Sequence, residues 1–162
     1  MKTISNYRKP FFAVLAISVM TSFVLLTSCE KDDNNDQSNT YNISGNASGS
    51  QEVPTNSATG TATLTGTYNA NTNALNYTIN WTGLTDMATA AHFHGPADAG
   101  ATAGVLQDIT IGTNGINGTA SGTVAVADSV ETALLNGKIY YNIHTLLYPD
   151  GEIRGQVLLT SQ

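Results

Sequence analysis

The sequence predicts an all-β domain: a Greek-key β-sandwich or barrel of about seven or eight antiparallel strands. Three observations carry that expectation. The apolar period is two rather than 3.6, with Ala62, Leu64, Gly66 and Tyr68 alternating with threonines, and Leu75, Tyr77, Ile79 and Trp81 alternating with polar residues. Charged residues make up only 11% of the chain while hydrophobic ones reach 41%, and Thr, Asn and scattered Gly suit strands and turns rather than disorder. No long amphipathic helix is available to cover a parallel sheet, which disfavours α/β folds.

In chain order, the first element is an address. Lys2, Arg8 and Lys9 precede an uncharged apolar run of sixteen residues, Phe11 to Leu26. That is short of the ~20 residues a spanning helix needs and suits the apolar region of a signal peptide. It ends in Leu26-Thr27-Ser28-Cys29, which resembles a lipobox. The resemblance implies that residues 1–28 are a lipoprotein signal peptide and that Cys29, the only cysteine, becomes the acylated first residue. Acyl chains at ~0.8 kcal/mol per buried CH₂ would then hold the protein at the bacterial outer membrane. Glu30-Lys31-Asp32-Asp33 resembles the signal that sends some lipoproteins to the cell surface, and equally reads as a solvated linker start. Residues 29–40 are expected to form a flexible tether and 41–162 the domain.

Strands are expected at 41–47, 61–68, 75–82, 105–111, 118–126, 138–144 and 153–159, with His92 and His94 on a further one. The Asn-rich stretch from Asn69 to Asn73 supplies the turn chemistry of a hairpin. Asp128 to Leu135 breaks the alternation, and Gly137 follows it, so one short helix is expected there. Asp150-Gly151 reads as a tight turn between the last two strands.

Charge excludes one class of partner. From Cys29 onward three basic residues, Lys31, Lys138 and Arg154, face twelve acidic ones, a net charge of −9. Such a surface repels phosphate backbones and gives anionic lipid nothing to hold, so membrane contact is left to the anchor. One cysteine permits no intrachain disulfide, so the core alone must hold the domain. The serines lack the context of a catalytic triad, no glycine-rich phosphate loop precedes a helix, and the aspartates miss the spacing of a calcium loop.

The three histidines are grouped. His92 and His94 stand at i and i+2, which puts both imidazoles on one face of a strand, and His144 lies on another expected strand. Three imidazoles brought together suit one copper or zinc ion. The competing reading is structural, with His92 and His94 bonding loop backbone and His144 bonding Asp150 or Glu152. Glu152 and Arg154 share a face by the same spacing. They read as an Arg–carboxylate clamp of the hairpin or, alternatively, with Arg154 as an anion contact beside the histidines. Trp81 and the seven tyrosines could form a sugar platform, but Trp81 shares its parity with Leu75 and Ile79, which points to the core.

Several of these segments together resemble a known module. Gln51-Glu52-Val53-Pro54, the run from Gly83 to Ala97 with its AHFHGPA core, and YNIHT followed by YPDGEIRGQ (ending at Gln156) resemble the CHRD domain, named for its occurrence in chordin. The resemblance covers about Tyr41 to Leu159, and departs at Thr55, where a second proline is frequent, and at Tyr141, where a smaller aliphatic residue is usual. It implies an extracellular binding or structural module without an assigned reaction, and no enzyme. A weaker resemblance is to copper-zinc superoxide dismutases, in the order His92, His94, His144, Arg154. The bridging histidine and zinc ligands of that family are missing here. That likeness therefore implies at most a single three-histidine site.

Overall fold

The computed structural model describes residues 39–162; the expected signal peptide, Cys29 and the tether up to Ser38 lie outside the described residues. Alternation builds the first three strands as expected. β1 (Thr40–Ser48), β2 (Thr61–Asn69) and β3 (Ala74–Thr82) form a continuous antiparallel meander. β1 and β2 pair over nine residues, and Thr40, assigned above to the tether, already belongs to β1. Leu64, Tyr68, Leu75, Ile79 and Trp81 are buried on the inner face, while threonines and asparagines keep the outer one wet. Trp81 is therefore core: it is 3% exposed and its Nε1 donates to the Gly115 carbonyl at 3.0 Å.

The rest of the chain adds β4 (Ala88–His94), β5 (Val105–Asp108), β6 (Ile111–Thr113), β7 (Gly118–Ala125), β8 (Tyr140–Thr145), β9 (Ile153–Gln156) and β10 (Leu158–Ser161). Between β7 and β8 stands α1 (Asp128–Leu135), with Asp128 and Glu131 at its positive end. Gly137, at φ 67°, turns the chain out of it. The strand order is β5-β4-β8-β9-β1-β2-β3-β7-β6, with β10 also on β1, and every pairing is antiparallel.

Two expected strands are each divided. The 105–111 segment becomes β5 on one end of the sheet and β6 on the other, joined only by Ile109 and Thr110. Ile109 is buried at the crossing and its N–H bonds the Ala91 carbonyl at 2.8 Å. For the two ends to be linked by two residues, the sheet must curl round on itself. The 153–159 segment breaks at Val157, fully buried, whose N–H turns to the Ile139 carbonyl. β9 then pairs β8, and β10 pairs β1. The expected strand at 138–144 starts late because Lys138 N–H closes the end of α1 on Ala133. These divisions raise the number from about eight to ten among the described residues. The all-β class stands.

The curl leaves one half of the sheet with two covered faces. All six residues of β8 are buried. Its inward side chains, Tyr141 and Ile143, join Phe93 and Ile153 in the core, where Tyr141 Oη donates to the Gly45 carbonyl at 3.2 Å. That bond gives the larger residue a polar partner inside the core. Its outward side chains, Tyr140, Asn142 and His144, lie under loops. Asn56 bonds the Gly151 and Glu152 carbonyls from one loop, and the Ala103 peptide meets Tyr140 Oη from another.

Candidate metal centre

Strand register gathers the histidines. β4 pairs β8 with His92 opposite Asn142, His94 opposite Tyr140 and Ala90 opposite His144. The three imidazoles therefore share the outer, loop-covered face. His94 and His144 are buried and His92 is half-buried.

Backbone carbonyls fix the tautomers. His144 Nδ1 lies 2.9 Å from the Pro149 carbonyl, and His94 Nδ1 lies 3.1 Å from that of Ala103. A carbonyl only accepts, so both Nδ1 atoms carry protons and a neutral ring turns its Nε2 lone pair inward. His92 is set the other way: its Nε2 faces Asp108 Oδ1 at 3.7 Å, and its Nδ1 stands 3.0 Å from His144 Nε2. The three inward nitrogens lie within 4.8 Å of one another, so some point lies no farther than 4.8/√3, about 2.8 Å, from each. Zn–N bonds of ~2.0–2.1 Å would then require the rings to close in and the Asn142 amide to give up its contacts with His94 and His144. Burial, helped by the neighbouring imidazoles, pushes His94 and His144 below their usual range, although the bonds to Ala103 and Pro149 oppose it. The two rings are therefore neutral at pH 7.

Asn142, not singled out above, sits between them. Its Oδ1 lies 2.9 Å from Nε2 of both His94 and His144. That contact is a hydrogen bond only to rings protonated on both nitrogens. Neutral rings are satisfied by the reversed amide, whose NH₂ meets both lone pairs. Tyr140 supports the same group, stacked on His94 at 4.8 Å and 3° between planes. Strand parity was the available signal for both, because Tyr140, Asn142 and His144 share one face.

Other expectations are corrected. His144 bonds the Pro149 backbone, not Asp150 or Glu152. Glu152 and Arg154 do not clamp each other. The Glu152 carboxylate, fully buried, accepts from Thr85 N–H at 2.7 Å, Thr85 Oγ1 at 2.9 Å and Thr145 Oγ1 at 2.7 Å, tying the β3–β4 connection to β8. Arg154 sits over Tyr140, Cζ 3.5 Å from the ring centre, and donates to Gln156 Oε1. Residues i and i+2 share a face, but here they serve different neighbours. A second acid, Glu52, is buried beside Asn142 and Gly151, and its Oε1 has no hydrogen-bond partner.

Residues 43–157 match the family model of the CHRD domain. The chain belongs to the CHRD domain family. No curated protein and no solved structure matches it. The matched stretch of the CHRD domain contains all three histidines together with Glu52, Asn142, Glu152 and Arg154, and excludes Cys29. The imidazole cluster thus lies inside the CHRD domain.

Proposed function

We propose that this CHRD domain binds one copper or zinc ion through His92 Nδ1, His94 Nε2 and His144 Nε2, and that Cys29 anchors it by lipid to the bacterial outer membrane, displayed at the cell surface. The observation that carries the metal reading is the set of inward lone pairs, two of which Asn142 caps in the absence of an ion and would yield to one. Two rings are held in one tautomer by backbone carbonyls, and the third has a carboxylate behind its outer nitrogen. Ligating histidines are oriented by such outer partners, which fix the ring and raise its basicity. Three imidazoles favour copper(II) over zinc in affinity and leave positions open for water or an exogenous ligand. The binding or structural module expected from the family is in this reading a metal-binding one.

Dialysed protein loaded with copper or zinc is expected to retain about one equivalent by elemental analysis, and His144→Ala to retain none. Copper-loaded protein should show nitrogen couplings in electron paramagnetic resonance. Equal metal content in parent and variant would refute the site. For the anchor, Cys29→Ser is expected to move the protein from the membrane fraction to the soluble one; unchanged fractionation would count against lipidation.

A further inference from the structure

A separate cavity, lined by none of the histidines, is left unused by metal binding. About 380 Å³ in volume, it is lined by the 50–55 loop, by Ala99 and Gly100, and by Arg154 and Gln156 of β9. Arg154 is 2% exposed and Glu52 is 6% exposed. The arginine's Cζ sits 3.5 Å over the Tyr140 ring, and its side chain makes one hydrogen bond, from Nη2 to Gln156 Oε1 at 3.2 Å, which leaves its other N–H groups for a ligand. The ion pairs among the described residues are His92–Asp108 and Lys138–Asp98, so no carboxylate lies in ion-pair contact with this buried guanidinium. Glu52 attracts Arg154 without touching it, so the buried guanidinium lacks a direct carboxylate contact and the buried Glu52 Oε1 lacks a hydrogen-bond partner, and both omissions are costly. Both residues line the same cavity.

We propose that this cavity binds a small organic monocarboxylate, its oxygens on the free edge of Arg154, with Glu52 and Gln156 as polar neighbours and Val53, Pro54 and Ala99 as apolar wall. A planar guanidinium matches a carboxylate in two parallel bonds, which is how arginine selects that group. One arginine, no second cation on the wall and the Glu52 carboxyl close by disfavour a dianion such as phosphate. The volume is near the lower end of the ~300–1,000 Å³ of ligand cavities, which fits a free metabolite-sized acid better than the end of a peptide chain.

Calorimetric titration of the metal-free protein with acetate and propionate tests this, with acetamide, inorganic phosphate and a tripeptide as comparisons. One equivalent of monocarboxylate is expected to bind, about tenfold or more tighter than acetamide or phosphate. Arg154→Lys, which keeps the charge but loses the fork, should weaken binding by about tenfold. Ala99→Trp, which fills the cavity from its exposed rim, should abolish it and leave copper binding intact. His144→Ala should leave carboxylate affinity unchanged, so this site and the metal site can fail separately. The proposal is overturned by absence of monocarboxylate binding up to about 10 mM. Equal affinity for acetamide, preference for the tripeptide, persistence in both Arg154→Lys and Ala99→Trp, or loss in His144→Ala would overturn it too.

Discussion

Glu52 offers a measurement that separates burial from charge. Its carboxyl lies against Gly151 and Asn142, and burial pushes it up from the ordinary 4.5 to about 7, against the pull of Arg154. A carboxyl raised in this way binds its proton more tightly in the folded protein than in the unfolded chain. Its contribution to stability is full below pH 4.5, falls as pH rises, and is gone above about 7. Between 4.5 and about 7, at ~1.36 kcal/mol per pH unit, the loss is about 3 kcal/mol. Glutamine has the shape of the protonated acid and does not ionise. Glu52→Gln should therefore match the parent at pH 4 and exceed it by about 3 kcal/mol at pH 8. Urea unfolding of metal-free protein, followed by the fluorescence of Trp81, the only tryptophan and a buried one, reads this directly. A difference that is the same at both pH values, or a parent more stable than the variant at pH 8, would refute the reasoning.

Two further outcomes follow from the histidine cluster. His94 and His144 are pushed below 6.5, so their neutral rings persist to lower pH than free imidazole. Their share of stability and of metal affinity should be full above pH 6.5 and lost as pH falls through the lowered values. Competition with a coloured chelator across pH 4–8 would show this, and a loss of affinity beginning above pH 7 would contradict it. Gly151 has φ 130°, and a Cβ there would run into Glu52 Oε1 and stand 2.9 Å from Asn142 Nδ2. Gly151→Ala should thus cost ~1–3 kcal/mol of stability by urea unfolding and alter metal affinity by shifting Asn142, whose amide caps the His94 and His144 lone pairs. A variant indistinguishable from the parent in both assays would show that the packing there is slack.

How far the sequence could be read depended on whether one or two faces of a strand are buried. In β2 and β3 a single buried face writes its period into the residues, and Leu64, Ile79 and Trp81 were legible as core. In β8 and β9 both faces are covered, one with apolar and one with polar side chains, so Asn142 and Arg154 read like solvent-facing residues although they are buried. The histidine pair was visible because i and i+2 is a local relation. Its meeting with His144 needed strand register, and the Ala103 and Pro149 carbonyls that set the tautomers come from loops whose paths no periodicity specifies. The helix at Asp128–Leu135 was legible from its flanking residues. The breaks at Ile109 and Val157 were not, because Ile109 falls in phase with Val105 and Ile111, Val157 opens an apolar run, and only the curl of the sheet decides where the chain changes partner.

That curl also governs how the molecule behaves in company. Among the described residues the strands paired on one edge only are short: β5 and β10, of four residues each, and β6, of three. A row of unpaired N–H and C=O groups invites another chain to add on, but rows this short give an incoming strand little to grip. Edge-to-edge addition of copies is thereby disfavoured at these borders, while the threonine-rich strand β2 has both of its edges paired inside the sheet.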